Sequence, residues 1–344
     1  MIVAFDARSL GPETRHWGVG VVIDNILSRL NARFSFVGIT HRFQGAAAQG
    51  LRTWPRLPKT NALFFEASTI LAGTFDLYWG TNHFVPASCH RPAVVTVHDL
   101  LLLKYPHEQP HSGMLARRLA SSVNRARRVL ADSRTTADDL IEAFPEVRSK
   151  VQVATLGFES CEAVVPGGDS QADPYVIMLG AHHPRKNLAF AAQVMQKLQE
   201  AGLRVPLRLT GDVHPCFAEI LRSHGACIQA TGVLPKQQVF TLLRHARAMM
   251  FPSRYEGFGF PVLEAMAAGC PVLALDTPIN RETGGDAAWF LPDDAQAWAS
   301  AIQELLRSTW LASDLSGKGA ENVKRFSWDH TAQIYADAFA GLCG

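Results

Sequence analysis

Cysteines are few in this sequence, and no pattern relates them. The 344 residues include six cysteines, with no C-x-x-C pair and no regular spacing. This distribution argues against a disulfide framework and against a structural zinc site. The segment HEQPH at 107–111 formally fits the zinc-protease motif. However, Pro106 and Pro110 prevent the regular helix that would bring both histidines onto one face.

Long apolar runs and a large excess of charge are also absent. The run VVTVHDLLLL is interrupted by His98 and Asp99, so it falls short of the roughly 18 apolar residues of a membrane helix. The first residues, MIVAFDA, predict a strand and lack the basic and apolar regions of a signal peptide. The net charge is only +2, which does not favour nucleic acid as a partner. We expect a cytoplasmic protein that meets a membrane only peripherally, at the inner face of the cytoplasmic membrane.

Short apolar strands alternate with helical periodicity along the chain. Its length exceeds the roughly 250–300 residues at which single cores stop growing, so two domains are expected. The repeated β-α-β pattern predicts parallel sheets with helices on both faces. A stretch rich in Gly, Pro and acidic residues interrupts the pattern and predicts a linker. The predicted segments are an N-terminal domain at 1–160, a linker at 161–174, a second domain at 175–325, and a C-terminal helix at 326–344 that returns toward the first domain.

The predicted fold class is α/β, with two doubly wound, Rossmann-like domains facing a central cleft. Ligands of open α/β sheets bind beyond the carboxyl ends of the strands, so facing domains place the site in the cleft between them. Functional residues are therefore expected just after strands.

The most informative stretch is PSRYEGFGFPVLEAMAAGCP at 252–271, which follows a predicted strand. Seven residues separate Glu256 from Glu264 in it. Its glycines permit close approach of the backbone to a ligand, and its second proline suits the first turn of a helix. A glycine-rich turn leading into a helix N-terminus binds anions. We expect Glu264 to accept hydrogen bonds from a ribose diol and Glu256 to reach a hydroxyl of a transferred sugar.

This stretch closely resembles the E-x7-E signature of the retaining family 4 glycosyltransferases, which have the GT-B fold. The resemblance extends over nearly the whole chain. It implies transfer of a sugar from a nucleotide diphosphate donor, with no metal and no cofactor. It also implies a donor site that contains Glu256, Gly257, Phe258, Gly259, Phe260, Pro261 and Glu264.

LGAHHPRKNL at 179–188 resembles the family's strand, loop and helix with the sequence P-R-K-N. Arg185 and Lys186 precede a predicted helix, so two cations and a helix N-terminus converge where a diphosphate would lie. They can stabilise the charge of a departing nucleoside diphosphate without a metal. Some relatives have an arginine after the glycine that corresponds to Gly180, where this chain has Ala181. Either Arg185 shares that work with Lys186, or the phosphate contacts differ.

TGVLPKQQ at 231–238 resembles another strand end of the family. By that resemblance it borders the base of the donor through Thr231, Gly232, Val233 and Leu234. We expect these residues to line the site and not to take part in chemistry.

In the first half, WGVGVVIDNIL at 17–27 resembles the family's first glycine-rich loop. There, Gly18 and Gly20 let backbone amides approach the donor phosphate. The third glycine of a dinucleotide fingerprint is missing, because Ile23 stands there, and this argues against a nicotinamide dehydrogenase. Many relatives continue the loop with Arg-Tyr where this chain has two valines, so we expect a more apolar acceptor pocket.

Two further strand ends carry histidines. AVVTV followed by His-Asp resembles a strand end of the family, and we expect a catalytic His98 beside the reacting sugar with Asp99 orienting it. GTNHFVP ends an earlier strand. Asn82 and His83 in it are either acceptor-side residues or parts of a simple turn.

Basic side chains are concentrated between residues 104 and 134. Seven Lys and Arg residues there stand against only Glu108 and Asp132. Five of them lie on or beside one predicted helix: Arg117, Arg118, Arg125, Arg127 and Arg128. They either form a solvated helix face or dock on an anionic membrane surface that carries a lipid-linked acceptor.

The reaction implied by the resemblance transfers a hexose with retention at the anomeric carbon. No carboxylate is obviously placed for the double displacement of retaining glycosidases, which favours front-face transfer with a diphosphate oxygen taking the proton. The HDLLLLKYP and PRKN elements resemble mannosyl and rhamnosyl transferases of bacterial surface polysaccharides. We therefore expect GDP-mannose as donor, ahead of UDP and dTDP sugars, and a saccharide or lipid-linked saccharide as acceptor.

Other functions remain open. A phosphorylase or epimerase can use the same scaffold, and a phosphorylase would bind inorganic phosphate in place of most of the donor. A catalytically silent nucleotide-sugar-binding protein is a further alternative. The intact set of Glu256, Glu264, Arg185 and Lys186 argues against it.

Overall fold

The chain forms two compact units. The computed structural model describes residues 1–11, 18–41, 52–57, 74–108, 111–160, 173–225 and 227–342. One unit comprises Met1–Gly157 with Phe326–Gly344, and the other comprises Phe158–Arg325. Residues 161–172, most of the predicted linker, lie outside the described residues.

The first unit is built on a seven-stranded sheet in which every pairing is parallel. Its strands are β1 (Ile2–Asp6), β2 (Ser35–His41), β3 (Arg52–Leu57), β4 (Leu77–Gly80), β5 (Ala93–Val97), β6 (Arg128–Ala131) and β7 (Val151–Val153). They are arranged in the order β3-β2-β1-β4-β5-β6-β7, which reverses between β1 and β4. Strands β4 and β5 are buried throughout, because helices cover both faces of a parallel sheet.

Three of the four helices described within residues 1–157 follow the predicted apolar periodicity, and the single-turn helix at 101–104 was not predicted. The four helices are α1 (Gly18–Leu30), α2 (Leu101–Lys104), α3 (Ser112–Arg125) and α4 (Arg134–Ala143). Helix α1 buries Val22, Ile23 and Ile26, which lie on one face at helical spacing. Helix α4 begins after Ser133, whose side chain accepts a hydrogen bond from the backbone N–H of Thr136 and so satisfies an orphan donor.

The second unit repeats this design with six parallel strands. The strands are β8 (Val176–Ala181), β9 (Leu207–Val213), β10 (Ile228–Gly232), β11 (Ala248–Phe251), β12 (Val272–Leu275) and β13 (Ala288–Leu291). Their order is β10-β9-β8-β11-β12-β13, which reverses between β8 and β11. The helices are α5 (Leu188–Glu200), α6 (Ala218–Ser223), α7 (Lys236–His245), α8 (Phe260–Ala267), α9 (Pro278–Gly284), α10 (Ala295–Arg307) and α11 (Thr309–Val323).

The last helix, α12 (Trp328–Ala340), belongs to the first unit. It packs on α1 and buries Tyr335 and Phe339 completely. Close to the unit boundary, a Cβ added to Gly157 would lie only 2.1 Å from the backbone nitrogen of Trp328. Only a glycine at position 157 leaves room for the backbone of α12 at Trp328.

Two doubly wound parallel sheets confirm the predicted α/β class. Within the described residues, no helix is both long and apolar enough to span a bilayer.

Candidate functional site

Two of the predicted donor segments follow the strands between which the second sheet reverses its order. Strand β8 leads to Arg185 and Lys186, and strand β11 leads to the loop that carries Glu256. Doubly wound sheets bind ligands in the crevice at such a reversal. The topology thus brings both segments together at the carboxyl edge of the sheet.

Glu256 binds both cations in this crevice. Its Oε1 lies 2.7 Å from Nζ of Lys186, and its Oε2 lies 2.5 Å from Nη1 of Arg185. The same Nη1 donates to the carbonyl oxygen of Tyr255 at 2.6 Å. Lys186 is only 4% exposed and Glu256 only 6%. Because one carboxylate is shared by two cations, the cluster keeps a net positive charge.

The protonation of this cluster is set by opposing effects. Burial alone would raise the pKa of Glu256, but the charges and hydrogen bonds of Lys186 and Arg185 outweigh it and lower that pKa to about 2. Burial lowers the pKa of Lys186, and the charge of Glu256 opposes that change. Glu256 is therefore ionised at neutral pH, which suits a fixed anion and not a general acid.

Backbone contacts fix the positions of the cations. The imidazole of His183 caps the short turn Pro184–Lys186 by accepting from the backbone N–H of Arg185 at 3.3 Å. The N–H of Arg254 donates to the carbonyl of Arg185 at 3.0 Å, which ties the two loops together. Asn187 then takes the left-handed conformation, with φ of 61°, before helix α5 begins.

The loop after Glu256 ends at a glycine that the backbone requires. Gly259 has φ of 100°, a conformation strained for any other residue, and Pro261 is the second residue of α8. Glu264 lies farther along α8, where burial raises its pKa against the charges of Lys236 and Lys186. Its carboxylate accepts no hydrogen bond within the described part of the chain. Both of its oxygens can therefore bind a ligand.

The other predicted donor residues lie along the same edge of the sheet. Gly180 lies at the end of β8 with φ of 70°, at a register shift of that strand. A Cβ added to Gly211 would lie 3.4 Å from the Cα of Gly180, so the two glycines pack closely. Thr231 and Gly232 end the edge strand β10, and Val233 and Leu234 follow it. Val233 is 70% exposed.

The predicted glycine-rich loop of the first unit is instead a helix start. Helix α1 begins at Gly18, so Gly18 and Gly20 lie in its first turn, while Trp17 lies outside the described residues. A Cβ added to Gly18 would meet nothing within 4 Å. The first-turn amides lack intrahelical acceptors. The backbone amides that were predicted to approach the donor phosphate therefore belong to a helix N-terminus and not to a loop.

His98 lies just beyond strand β5, as predicted, but its partner is not Asp99. Its Nδ1 lies 2.7 Å from Oδ2 of Asp132, and its Nε2 lies 2.7 Å from the carbonyl oxygen of Thr81. Asp99 instead accepts from the backbone N–H of Leu101 at 2.9 Å. The prediction that Asp99 orients His98 is therefore wrong, and Asp132 takes that place.

The two acceptors determine the charge of His98. A carbonyl oxygen and an ionised carboxylate can only accept, so both ring nitrogens must donate and the ring is an imidazolium. Burial alone would lower the pKa of His98, but Asp132 and the carbonyl of Thr81 raise it above its ordinary value. With both nitrogens engaged, His98 offers a positive charge and no free ring nitrogen to a sugar hydroxyl.

Asn82 and His83 form a turn whose polar groups are largely used within it. His83 has φ of 65°, and its ring nitrogens lie 2.6 Å from Oδ1 of Asn82 and 3.0 Å from the carbonyl oxygen of Asp99. Burial lowers the pKa of His83. The two histidine rings pack edge to face, with the centroids of His83 and His98 at 5.6 Å.

The basic side chains near α3 divide into two groups. Lys104 pairs with Asp139 at 2.7 Å, and Arg125 donates to two backbone carbonyls at 2.5 and 2.8 Å. The guanidinium of Arg118 lies 5.0 Å from the ring centroid of Phe84. These three side chains contact other parts of the unit, although Lys104 and Arg125 are exposed as well. The remaining basic residues on or beside the helix are exposed: Arg117, Arg127 and Arg128.

Family models match both units. The model described as Glycosyltransferase Family 4 matches residues 18–159, and the model described as Glycosyl transferases group 1 matches residues 173–308. Glycosyltransferase models therefore match both halves of the chain, and the resemblance to the family 4 glycosyltransferases is confirmed.

The solved structures that this glycosyltransferase resembles share its fold. The sucrose-phosphate synthase of Thermosynechococcus elongatus matches with a TM-score of 0.79 over 99% of this chain and 100% of that one, at 18% identity. HepE of Anabaena, solved in complex with UDP-glucose, matches with a TM-score of 0.78 over the same shares, also at 18% identity. The fold is GT-B.

A curated relative is closer in sequence. The O-antigen chain mannosyltransferase B of Escherichia coli is 28% identical over 282 residues, which are 76% of this chain and 74% of that protein.

A separate cavity of about 810 Å³ lies in the second unit of the glycosyltransferase. Gly285, Trp310, Asp314 and Asn322 are among its lining residues, and no predicted donor residue lines it.

Sequence reasoning missed Asp132 although a signal was present. The strand pairing aligns Val97 of β5 with Ala131 of β6, and the next residue of each strand is His98 and Asp132. Polar residues directly after two neighbouring parallel strands could have been paired from the sequence.

Proposed function

We propose that this glycosyltransferase is a retaining hexosyltransferase that transfers mannose from GDP-mannose without a metal. The acceptor is a saccharide or lipid-linked saccharide in surface polysaccharide synthesis, at the inner face of the cytoplasmic membrane. The observation that carries the proposal is the cluster of Arg185, Lys186 and Glu256 at the strand reversal of the second sheet.

The cluster suits a diphosphate. Glu256 takes one of the three protons on Nζ of Lys186, and the other protons of that ammonium remain for phosphate oxygens. Arg185 adds a second cation held by the Tyr255 carbonyl. When the bond between the sugar and the diphosphate breaks, these fixed charges stabilise the departing oxygen without reorganisation.

Two carboxylates suit the rest of the donor. Glu264 has both oxygens open to the ribose hydroxyls, while Glu256 is ionised and positioned by its cations to accept from a hydroxyl of the sugar. Neither carboxylate is assigned to proton transfer. We infer that the acceptor hydroxyl attacks the anomeric carbon on the face from which the diphosphate leaves, and that its proton passes to a diphosphate oxygen.

The choice of sugar rests on the sequence relative, an O-antigen mannosyltransferase by name. The choice of a nucleotide donor is supported by the neighbour solved with UDP-glucose. GDP-mannose is proposed ahead of UDP and dTDP sugars. Arg117, Arg127 and Arg128 are proposed to contact anionic lipid near the acceptor.

Product analysis tests this function. The purified protein is incubated with GDP-mannose and an alkyl mannoside, with and without EDTA, and the product anomer is assigned from its one-bond carbon–proton coupling. We expect α-linked product in both conditions. A β-linked product contradicts retention, loss of transfer in EDTA contradicts metal independence, and cleavage that depends on inorganic phosphate indicates a phosphorylase.

A further inference from the structure

A backbone N–H in the candidate donor loop has no partner. Gly259 is buried, and within the described part of the chain its N–H meets no acceptor. Buried backbone N–H groups are nearly always paired with protein, water or ligand. Gly259 also precedes helix α8, where the first-turn amides likewise lack intrahelical acceptors.

The direction of this N–H is controlled by the carbonyl on the same peptide. The carbonyl oxygen of Phe258 accepts a hydrogen bond from the hydroxyl of Thr283, a residue of α9 that is only 1% exposed. A planar trans peptide points its C=O and N–H in opposite directions. Holding the carbonyl of Phe258 against Thr283 therefore aims the N–H of Gly259 away from Thr283.

Without such an anchor this peptide could rotate easily. Gly259 has φ of 100° and no side chain, so backbone conformations of either sign of φ are accessible to it. A Cβ added there would approach the Thr283 hydroxyl to 3.6 Å, which shows how closely the loop packs on α9.

Thr283 is itself held by α11. Nδ2 of Asn322 donates to the carbonyl of Thr283 at 2.8 Å, and Nη1 of Arg325 donates to Oδ1 of Asn322 at 2.6 Å. The guanidinium can only donate and the carbonyl can only accept, so these partners fix the orientation of the Asn322 amide. Asn322 is only 7% exposed.

We propose that Thr283, braced by Asn322, is a positioning residue for the donor. It locks the peptide between Phe258 and Gly259 so that the N–H of Gly259 is presented to the diphosphate. This inference rests on the proposed nucleotide-sugar donor, and it assigns to α9 and α11 a part that no E-x7-E residue supplies.

Isosteric and conservative variants test the proposal. Thr283→Val keeps the shape and removes the hydroxyl, whereas Thr283→Ser keeps the hydroxyl. Titration calorimetry with GDP, UDP and dTDP, and with their nucleosides, gives the dissociation constants. We expect Thr283→Val to raise the dissociation constant of the preferred nucleoside diphosphate roughly tenfold, as for loss of one charge-assisted hydrogen bond. Affinity for the nucleoside alone should be unchanged, and Thr283→Ser should restore diphosphate binding.

A matched control separates positioning from simple destabilisation. Thr331 is also fully buried and donates to the carbonyl of Thr155 at 2.7 Å in the first unit, so Thr331→Val removes a similar hydrogen bond away from the donor. It should lower the melting temperature without changing nucleotide affinity. Asn322→Asp replaces the amide nitrogen that donates to the carbonyl of Thr283 with an oxygen. Like Thr283→Val, it should lower the affinity for the nucleoside diphosphate.

Two results overturn the proposal in distinguishable ways. If wild-type protein binds a nucleoside diphosphate and Thr283→Val binds it equally well, the positioning role is wrong while the donor site stands. If the wild type binds none of the three diphosphates, the proposed function fails and the positioning role fails with it.

Discussion

The charge of His98 arises from neighbours that are distant in sequence. Asp132 is 34 residues away along the chain, yet the pairing of β5 with β6 brings it beside the imidazole. The folded protein holds this ring as a cation in a buried place, where an unpaired charge would be costly. Replacing Asp132 should therefore lower the free energy of unfolding by an amount that depends on pH.

Asp132→Asn should destabilise the protein more at low pH than at high pH. The pKa of His98 is raised in the folded state, so its contribution to stability is complete below the unfolded pKa of about 6.5 and is lost as pH rises through the higher folded value. The difference in urea midpoint between wild type and Asp132→Asn should be larger at pH 5.5 than at pH 9.

An exposed carboxylate provides the control for this comparison. Asp329 pairs with Arg29 at 2.7 Å, and its side chain is 87% exposed. Exposed ion pairs contribute little to stability. The effect of Asp329→Asn should be small and constant. An equal or larger effect of Asp132→Asn at pH 9 contradicts the assigned imidazolium.

Helix α12 completes the first unit through aromatic contacts. The ring of Phe339 lies 5.7 Å from both Phe34 and Trp79, 6.4 Å from Phe36 and 6.0 Å from Tyr335, measured between centroids. Tyr335 also joins Thr96 of β5 at 2.9 Å. The amphipathic pattern of the sequence predicted the helix and its return to the first domain. Its aromatic partners come from three different strands or loops, which periodicity alone cannot pair.

Phe339→Ala should destabilise the first unit by about 3–5 kcal/mol, the usual cost of removing a buried phenyl ring. The measurement is urea unfolding followed by circular dichroism. Trp310→Ala is the matched aromatic control, because Trp310 is 74% exposed and surface substitutions usually change stability by less than about 0.5 kcal/mol. Equal effects of the two variants contradict the docking assigned to α12.

For the whole molecule, the sequence predicted the two α/β sheets but not the side-chain hydrogen bonds between distant elements. Alternating strand and helix patterns predicted two doubly wound sheets, and PRKN and EGFGFPVLE located the cations and the carboxylate that the second sheet brings together. Those motifs are local, and each follows a strand that ends at the same edge. Their meeting therefore follows from topology.

Contacts made by single side chains across distant elements were not predictable in this way. The hydroxyl of Thr283 donates to the carbonyl of Phe258, 25 residues away in sequence. The side-chain amide of Asn322 donates to the carbonyl of Thr283, 39 residues away. A threonine or asparagine within an amphipathic helix carries no pattern that names its acceptor.

Thermal shift tests whether a metal-free nucleoside diphosphate site lies at Lys186. Melting temperatures are measured with GDP, UDP and dTDP in EDTA for wild type, Lys186→Ala and Lys197→Ala, an exposed lysine on α5 that pairs with Glu200. We predict that one diphosphate at about 100 times its Kd stabilises wild type and Lys197→Ala by roughly 2.7 kcal/mol, and that Lys186→Ala loses most of this gain relative to its own baseline. No stabilisation by any of the three, or full stabilisation of Lys186→Ala, would contradict a metal-free diphosphate site at Lys186.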